Sequence, residues 1–300
     1  MSVGIDIGRS GVKIVSGEKR LPIFPAVACL ARPIDEPEEA VRAVAQTCEF
    51  GGRKWFWGET AEIHGQAQPG NDPGFEMTDG YAVILQAAIG QARLAGMALG
   101  RVALGVPSEA GAIVRESVAQ RISAILPGTA ARVVAQPAGV LATVAAQRPE
   151  VLQQTVAIID VGRYSTDVAI SVRGRPVAGS LFSLPGVRGA VDVLTGALRQ
   201  RLPGTISFET IEVALRESFV VHRMQRVNVA KEARQAREHL TAIVDQAVAR
   251  IQTLQPDVEA LILAGGGVDL LDSGILPPHM RAPGGRYAVA DGLSRIAARL

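Results

Sequence analysis

The sequence predicts a duplicated α/β fold, and three observations predict it. Two short stretches share one design: Asp6-Ile7-Gly8-Arg9-Ser10 and Asp160-Val161-Gly162-Arg163-Tyr164-Ser165. Each lies between two apolar, strand-like runs, residues 3–5 and 12–15 in one case and 156–159 and 168–172 in the other. Each therefore reads as a β-hairpin whose turn carries an acid, a glycine and a small hydroxyl residue. Glycine lets such a turn bring its backbone N–H groups close to a ligand. A nest of N–H groups beside a hydroxyl suits a phosphate, and an aspartate beside it suits the metal ion that a phosphate carries. Two such hairpins half a chain apart suggest a duplicated fold gripping one polyphosphate from both sides. The second observation is that strand-like runs elsewhere alternate with segments of helical periodicity, with Ser, Gly and Pro at the strand ends. The third is a buried-strand run, 258–264, entering Gly265-Gly266-Gly267.

Three hundred residues, 48% hydrophobic and 20% charged, suit one large or two medium compact domains. A net charge of +2 argues against nucleic acid as a direct partner. Cys29 and Cys48 form no C-x-x-C or Cys/His cluster, which argues against a zinc or iron–sulfur site and fits a reducing cytoplasm. The N-terminus enters a strand without the pattern of a signal peptide. No run of ~18 apolar residues suggests a membrane span. The expected location is the cytoplasm.

In chain order, residues 3–7 and 12–16 are the first two strands. Residues 21–30 are a mostly apolar run broken by Pro22 and Pro25, a third strand or an edge. Asp35-Glu36-Pro37-Glu38 reads as a helix start, with a capping acid and proline in the first turn, and the helix runs to about Thr47. Residues 54–59 read as a strand introducing a small flap. Trp55 and Trp57 share one face of it, either packing a minor core or offering a patch to a neighbouring subunit. Residues 66–79, with two glycines and two prolines, read as a loop. Helices are expected over 81–99 and through Ile113, Val118, Ile122 and Ile125. Strands at 102–106 and 132–134 surround the second of these, and Gln136-Pro137 opens another helix. Residues 150–154 are the expected joint between halves. Strands follow at 156–160, 167–172 and 176–182, then a helix through Val187, Val191, Leu194 and Leu198. Ser207 caps a helix to about Phe219. A long amphipathic helix covers 229–254, and a last helix opens at 286–292.

These motifs resemble the actin-like ATPase superfamily. Residues 6–13 look like its first phosphate loop, 160–167 like its second, and 261–267 like its adenosine motif, in family order and at family-like spacing. The nearest branch is the bacterial and archaeal one that includes ParM/StbA-like plasmid-segregation proteins. The resemblance implies an α/β, actin-like (ribonuclease H-like, duplicated) fold with two lobes around a nucleotide cleft. The implied first domain is 1–149, with a flap at about 24–78 and helix 286–300 packing back on it. The second is 150–285, with a small subdomain at about 190–240. The implied ligand is ATP (or GTP) with Mg2+. The implied nucleotide-binding residues are Asp6, Gly8, Arg9, Ser10, Gly11, Lys13, Asp160, Gly162, Arg163, Ser165, Gly189, Gly265, Gly266 and Gly267. Asp6 and Asp160 would hold a hydrated magnesium ion. Gln136 would orient the attacking water for slow hydrolysis. The plainer alternatives are turn-forming aspartates, a solvated Lys13 and a helix-capping Gln136. Asp167 is either a second acid of the loop or a strand-edge acid.

Arg9 and Arg163 depart from the family pattern, which has small residues at these places. They either add charge to a phosphate clamp or point outward. Three functions remain open. The first is an ATP hydrolase that polymerises into filaments, with self as partner and a DNA-binding adaptor for plasmid or DNA segregation or cytoskeletal positioning. The second is a small-molecule kinase of the same superfold, with Asp79 or Asp167 as the catalytic acid. The third is a non-polymerising ATP-binding scaffold.

Overall fold

The computed structural model of the chain describes residues 2–65, 74–272 and 274–300. Residues 66–73 of the expected loop and of the expected flap lie outside the described residues. The chain divides into two compact units. Unit 1 is Met1–Gln147 with Tyr287–Leu300, and unit 2 is Arg148–Arg286.

Unit 1 begins with the first hairpin, β1 (Val3–Gly8) and β2 (Gly11–Ser16), followed by β3 (Lys19–Arg20). A small layer follows: β4 (Ala28–Leu30), α1 (Pro37–Val44), β5 (Thr47–Phe50), β6 (Arg53–Trp57) and α2 (Gly58–His64), its strands in the order β4-β6-β5. Then come α3 (Asp79–Leu94), β7 (Arg101–Val106), α4 (Ala112–Ile125), β8 (Ala130–Ala135) and α5 (Gln136–Ala145). The main sheet runs β3-β2-β1-β7-β8, with β1 and β2 antiparallel and β1, β7 and β8 parallel. The central strands β1 and β7 are almost wholly buried because helices cover both faces, which is why they read as continuous apolar runs.

Unit 2 repeats the plan. The second hairpin is β9 (Thr155–Val161) and β10 (Ser165–Val172), followed by β11 (Arg175–Pro176) and β12 (Phe182–Pro185). After α6 (Val187–Arg199) and α7 (Phe208–Glu217) come β13 (Phe219–His222), β14 (Gln225–Asn228) and α8 (Ala230–Leu254). The unit ends with β15 (Ala260–Ala264) and β16 (Met280–Arg281). The sheet order β11-β10-β9-β15-β16 matches that of unit 1, again with an antiparallel hairpin beside parallel strands. The last helix, α9 (Ala288–Ala297), belongs to unit 1 and packs on β1, β7 and α5.

Several local expectations are corrected. Helix α1, capped by the Glu36 carboxylate accepting from Glu39 N at 2.6 Å, stops at Val44 rather than Thr47. Helix α3 stops at Leu94 rather than 99, where Gly96 turns the chain with φ +71°. The strand expected over 176–182 is two short strands, β11 and β12. The hairpin β13–β14 was not foreseen, because its second strand, Gln-Arg-Val-Asn, carries no alternating apolar pattern. The two tryptophans face the main core of unit 1, with Trp57 edge-on to Phe24 at 5.2 Å. The minor core lies on the other face of β6, around Phe56 with Ala43 and Ala61.

Candidate functional site

In unit 1 the strand register sets Asp6, near the end of β1, directly opposite Lys13 on β2. Asp6 is 3% exposed, and burying a carboxylate costs several kcal/mol unless it is paired. Both its oxygens are engaged. Lys13 Nζ lies 3.0 Å from Oδ2, and Gln136 Nε2 donates to Oδ1 at 2.8 Å. Gly8 leaves room for the ammonium, since a Cβ there would sit 2.9 Å from Lys13 Nζ. Gln136 is the first residue of α5, with Pro137 behind it in the first turn. The helix is seated by its close crossing with α9. A Cβ on Gly292 would fall 1.7 Å from Gly139 O, so only glycine allows this approach.

The turn residues Ser10 and Gly11 complete the hairpin, with Gly11 against Ile23 and Phe24. Arg9 turns to carboxylates, its Nη2 3.3 Å from Glu109 and its Nε 3.7 Å from Glu76. Tyr81 was not singled out from sequence. Its hydroxyl is buried and, among the described residues, has no hydrogen-bond partner. Burial first, then the charges of Glu76 and Asp6, push its pKa far above the ordinary tyrosine range, so the hydroxyl stays protonated beside this cluster.

In unit 2 the same register places Asp160 opposite Asp167. Asp6 to Lys13 and Asp160 to Asp167 are the same seven-residue step, so an acid stands in the second hairpin where the first has a lysine. Asp167 is 2% exposed and accepts from Ser165 Oγ at 2.6 Å and Ser183 Oγ at 2.8 Å. It is thus a buried acid inside β10, paired on both sides, and the hydroxyl of Ser165 is donated to it. The turn is stitched to the start of α6: Gly186 N donates to Tyr164 O at 3.1 Å, Val187 N to Gly162 O at 3.0 Å and Arg188 N to Arg163 O at 2.7 Å. Gly189, in the first turn of α6, lies near Pro185, His239 and Ile243.

The glycine triplet packs directly on this hairpin. Gly265 has φ +90°, and a Cβ there would meet Val161 O at 2.4 Å and Asp160 Oδ1 at 2.5 Å. Gly267 N donates to Val161 O at 3.0 Å. Gly266 O accepts from Arg216 at 3.0 Å. Arg163, like Arg9, turns to carboxylates: Glu212 at 2.7 Å and Glu209 at 3.8 Å, with Phe208 beneath its guanidinium at 4.5 Å. Both departing arginines therefore have their charge matched within their own unit. The partners Glu76, Glu109, Glu209 and Glu212 were invisible in the sequence because no local motif links them to the turns.

Comparisons with known proteins give the fold and the family. No curated protein matches the chain. Among solved structures, an archaeal actin homologue in complex with ADP is 19% identical, with a TM-score of 0.71, covering 100% of this chain and 99% of that one. A ParM from Clostridium botulinum, solved as a 15-stranded filament, is 17% identical with a TM-score of 0.76 and the same coverage. MamK, solved as a double helical filament, is 17% identical with a TM-score of 0.74, again covering 100% and 99%. At these identities the likeness carries the fold, which is actin-like. Residues 4–139 match the family model of the N-terminal domain of actin like proteins, and residues 158–275 match that of the archaeal actin homologue MreB-like C-terminal domain. With a matching family model on each half, the chain belongs to the actin-like superfamily.

Proposed function

We propose that the chain is a nucleotide-dependent filament protein: it binds ATP (or GTP) with Mg2+ through residues of both hairpins, hydrolyses it slowly and assembles with copies of itself. The observation that carries this reading is the repeated hairpin. In both units an aspartate lies near the end of the first strand, a glycine follows two residues on, and a polar partner stands opposite. In unit 2 the glycine triplet lies against that aspartate. The residues present fit the proposed ligand. The buried Asp6 carboxylate is already matched to an ammonium and an amide, as an acid facing a hydrated cation and a phosphate needs to be. Magnesium, when bound, would neutralise phosphate charge. Lys13 would turn its ammonium toward the phosphates, and Gln136 would hold a water without taking its proton. Gly8, Ser10, Gly11, Gly162 and Ser165 would line the phosphates, and Gly265–267 would face the base.

The relatives' assemblies favour the polymerising reading. ParM and MamK have been solved as filaments, and the archaeal actin homologue with ADP. The kinase reading is weakened by Asp167, whose two oxygens are occupied by serine hydroxyls. No helix among the described residues is long and apolar enough to cross a membrane. Plasmid or DNA segregation through an adaptor, or another positioning task in the cytoplasm, is the use such a filament would serve. Sedimentation with ATP–Mg2+, with ADP–Mg2+ and without nucleotide tests the proposal. Pelleting with ATP–Mg2+ and release as phosphate appears are expected. Protein that stays in the supernatant in all three, or phosphate release that needs an added sugar or vitamin, would contradict it.

A further inference from the structure

We propose that Glu212 and Arg216, on one face of α7, are positioning residues that brace the second phosphate turn and the glycine triplet in one frame without touching the nucleotide. The inference rests on the nucleotide-binding reading above. Helix α7 has two working faces. Ile211, Ala214 and Leu215 are buried in the core of unit 2, where α7 packs on α6 and α8. Phe208, Glu212 and Arg216 recur at every fourth position and so share the other face.

Each residue of that stripe meets one loop. Phe208 stacks on Tyr164 of the phosphate turn, with ring centres 6.4 Å apart and planes 9° from parallel, and it carries the Arg163 guanidinium at 4.5 Å. One turn along, Glu212 Oε2 accepts from Arg163 Nη2 at 2.7 Å. One turn further, Arg216 Nη2 donates to Gly266 O at 3.0 Å. A stripe about 12 Å long thus runs from the phosphate turn to the triplet.

Charge and burial give Arg163 a holding role. Its side chain is 20% exposed, one carboxylate binds it and a second lies nearby, and its Nε is buried without a hydrogen-bond partner among the described residues. A guanidinium stacked and paired in this way is fixed in direction. Any shift of α7 then moves the phosphate turn and the triplet together, which couples the small subdomain to the grip on the nucleotide.

The test combines ADP–Mg2+ calorimetry with amide hydrogen exchange of the ligand-free chain. Glu212→Gln is expected to weaken ADP–Mg2+ binding about five- to tenfold and to speed exchange across residues 162–165. Arg216→Gln is expected to speed exchange across 265–267 and to weaken binding to a similar degree. Tighter ADP binding in Glu212→Gln would overturn the proposal, because it would mean that the released Arg163 is itself a phosphate ligand. Unchanged exchange in both loops would overturn it as well. If the native chain gives no heat with ADP–Mg2+, the nucleotide reading fails, and the exchange measurements still decide whether the brace exists.

Discussion

At the scale of single residues, the chemistry gathers on Asp6. Lys13 and Gln136 engage its two oxygens; the family resemblance had singled out all three residues, but not the bonds between them. Tyr81 and Glu76 were not legible, because they reach the cluster only through the fold. Gln136→Ala should lower the rate of hydrolysis about ten- to a hundredfold while changing ADP affinity less than about threefold, since positioning of water acts on the transition state. Steady-state turnover set beside calorimetry checks this, and equal losses in both would show that Gln136 acts in binding instead. The two thiols make a separate prediction. Burial pushes the Cys29 thiol up, with Arg32 opposing, and burial pushes Cys48 up too. Both should react more slowly at pH 7 than a free thiol with a maleimide, and faster as pH rises through and above the ordinary cysteine range. Rapid labelling of either at pH 7 would contradict the burial seen here.

At the scale of elements, what fixes Gln136 is the contact of α5 with α9. The glycines at 139 and 292 allow the two backbones to approach within side-chain distance, and α9 also closes on β1 at Gly4. Gly292→Ala would drive a methyl into Gly139 O and should cost about 3 kcal/mol or more in chemical denaturation, at the upper end of overpacking. A change below about 0.5 kcal/mol would mean the helices can separate freely. Long helices and buried strands were readable from the sequence, because their apolar periodicity is sustained. The two-residue strands β3, β11 and β16 and the hairpin β13–β14 were not, because pairing partners and not side-chain pattern define them. The tryptophan pair was read onto one strand face correctly, but which of two cores that face meets is set by the sheet's neighbours, not by β6 itself.

At the scale of the whole molecule, two sheets of matching order each carry one acid–glycine turn at the same place, and this repetition was visible in the sequence as two related stretches. What local sequence did not show is that α7 ties the second turn to the triplet. The proposed function needs the aspartate of each hairpin for nucleotide binding. Calorimetry with a non-hydrolysable ATP analogue and Mg2+, on the native chain and on Asp6→Ala and Asp160→Ala, tests it most directly. One nucleotide per chain and at least a tenfold loss of affinity in each variant are expected, with both variants still folded by circular dichroism. Full affinity in either variant, or no heat with any nucleotide from the native chain, would contradict it.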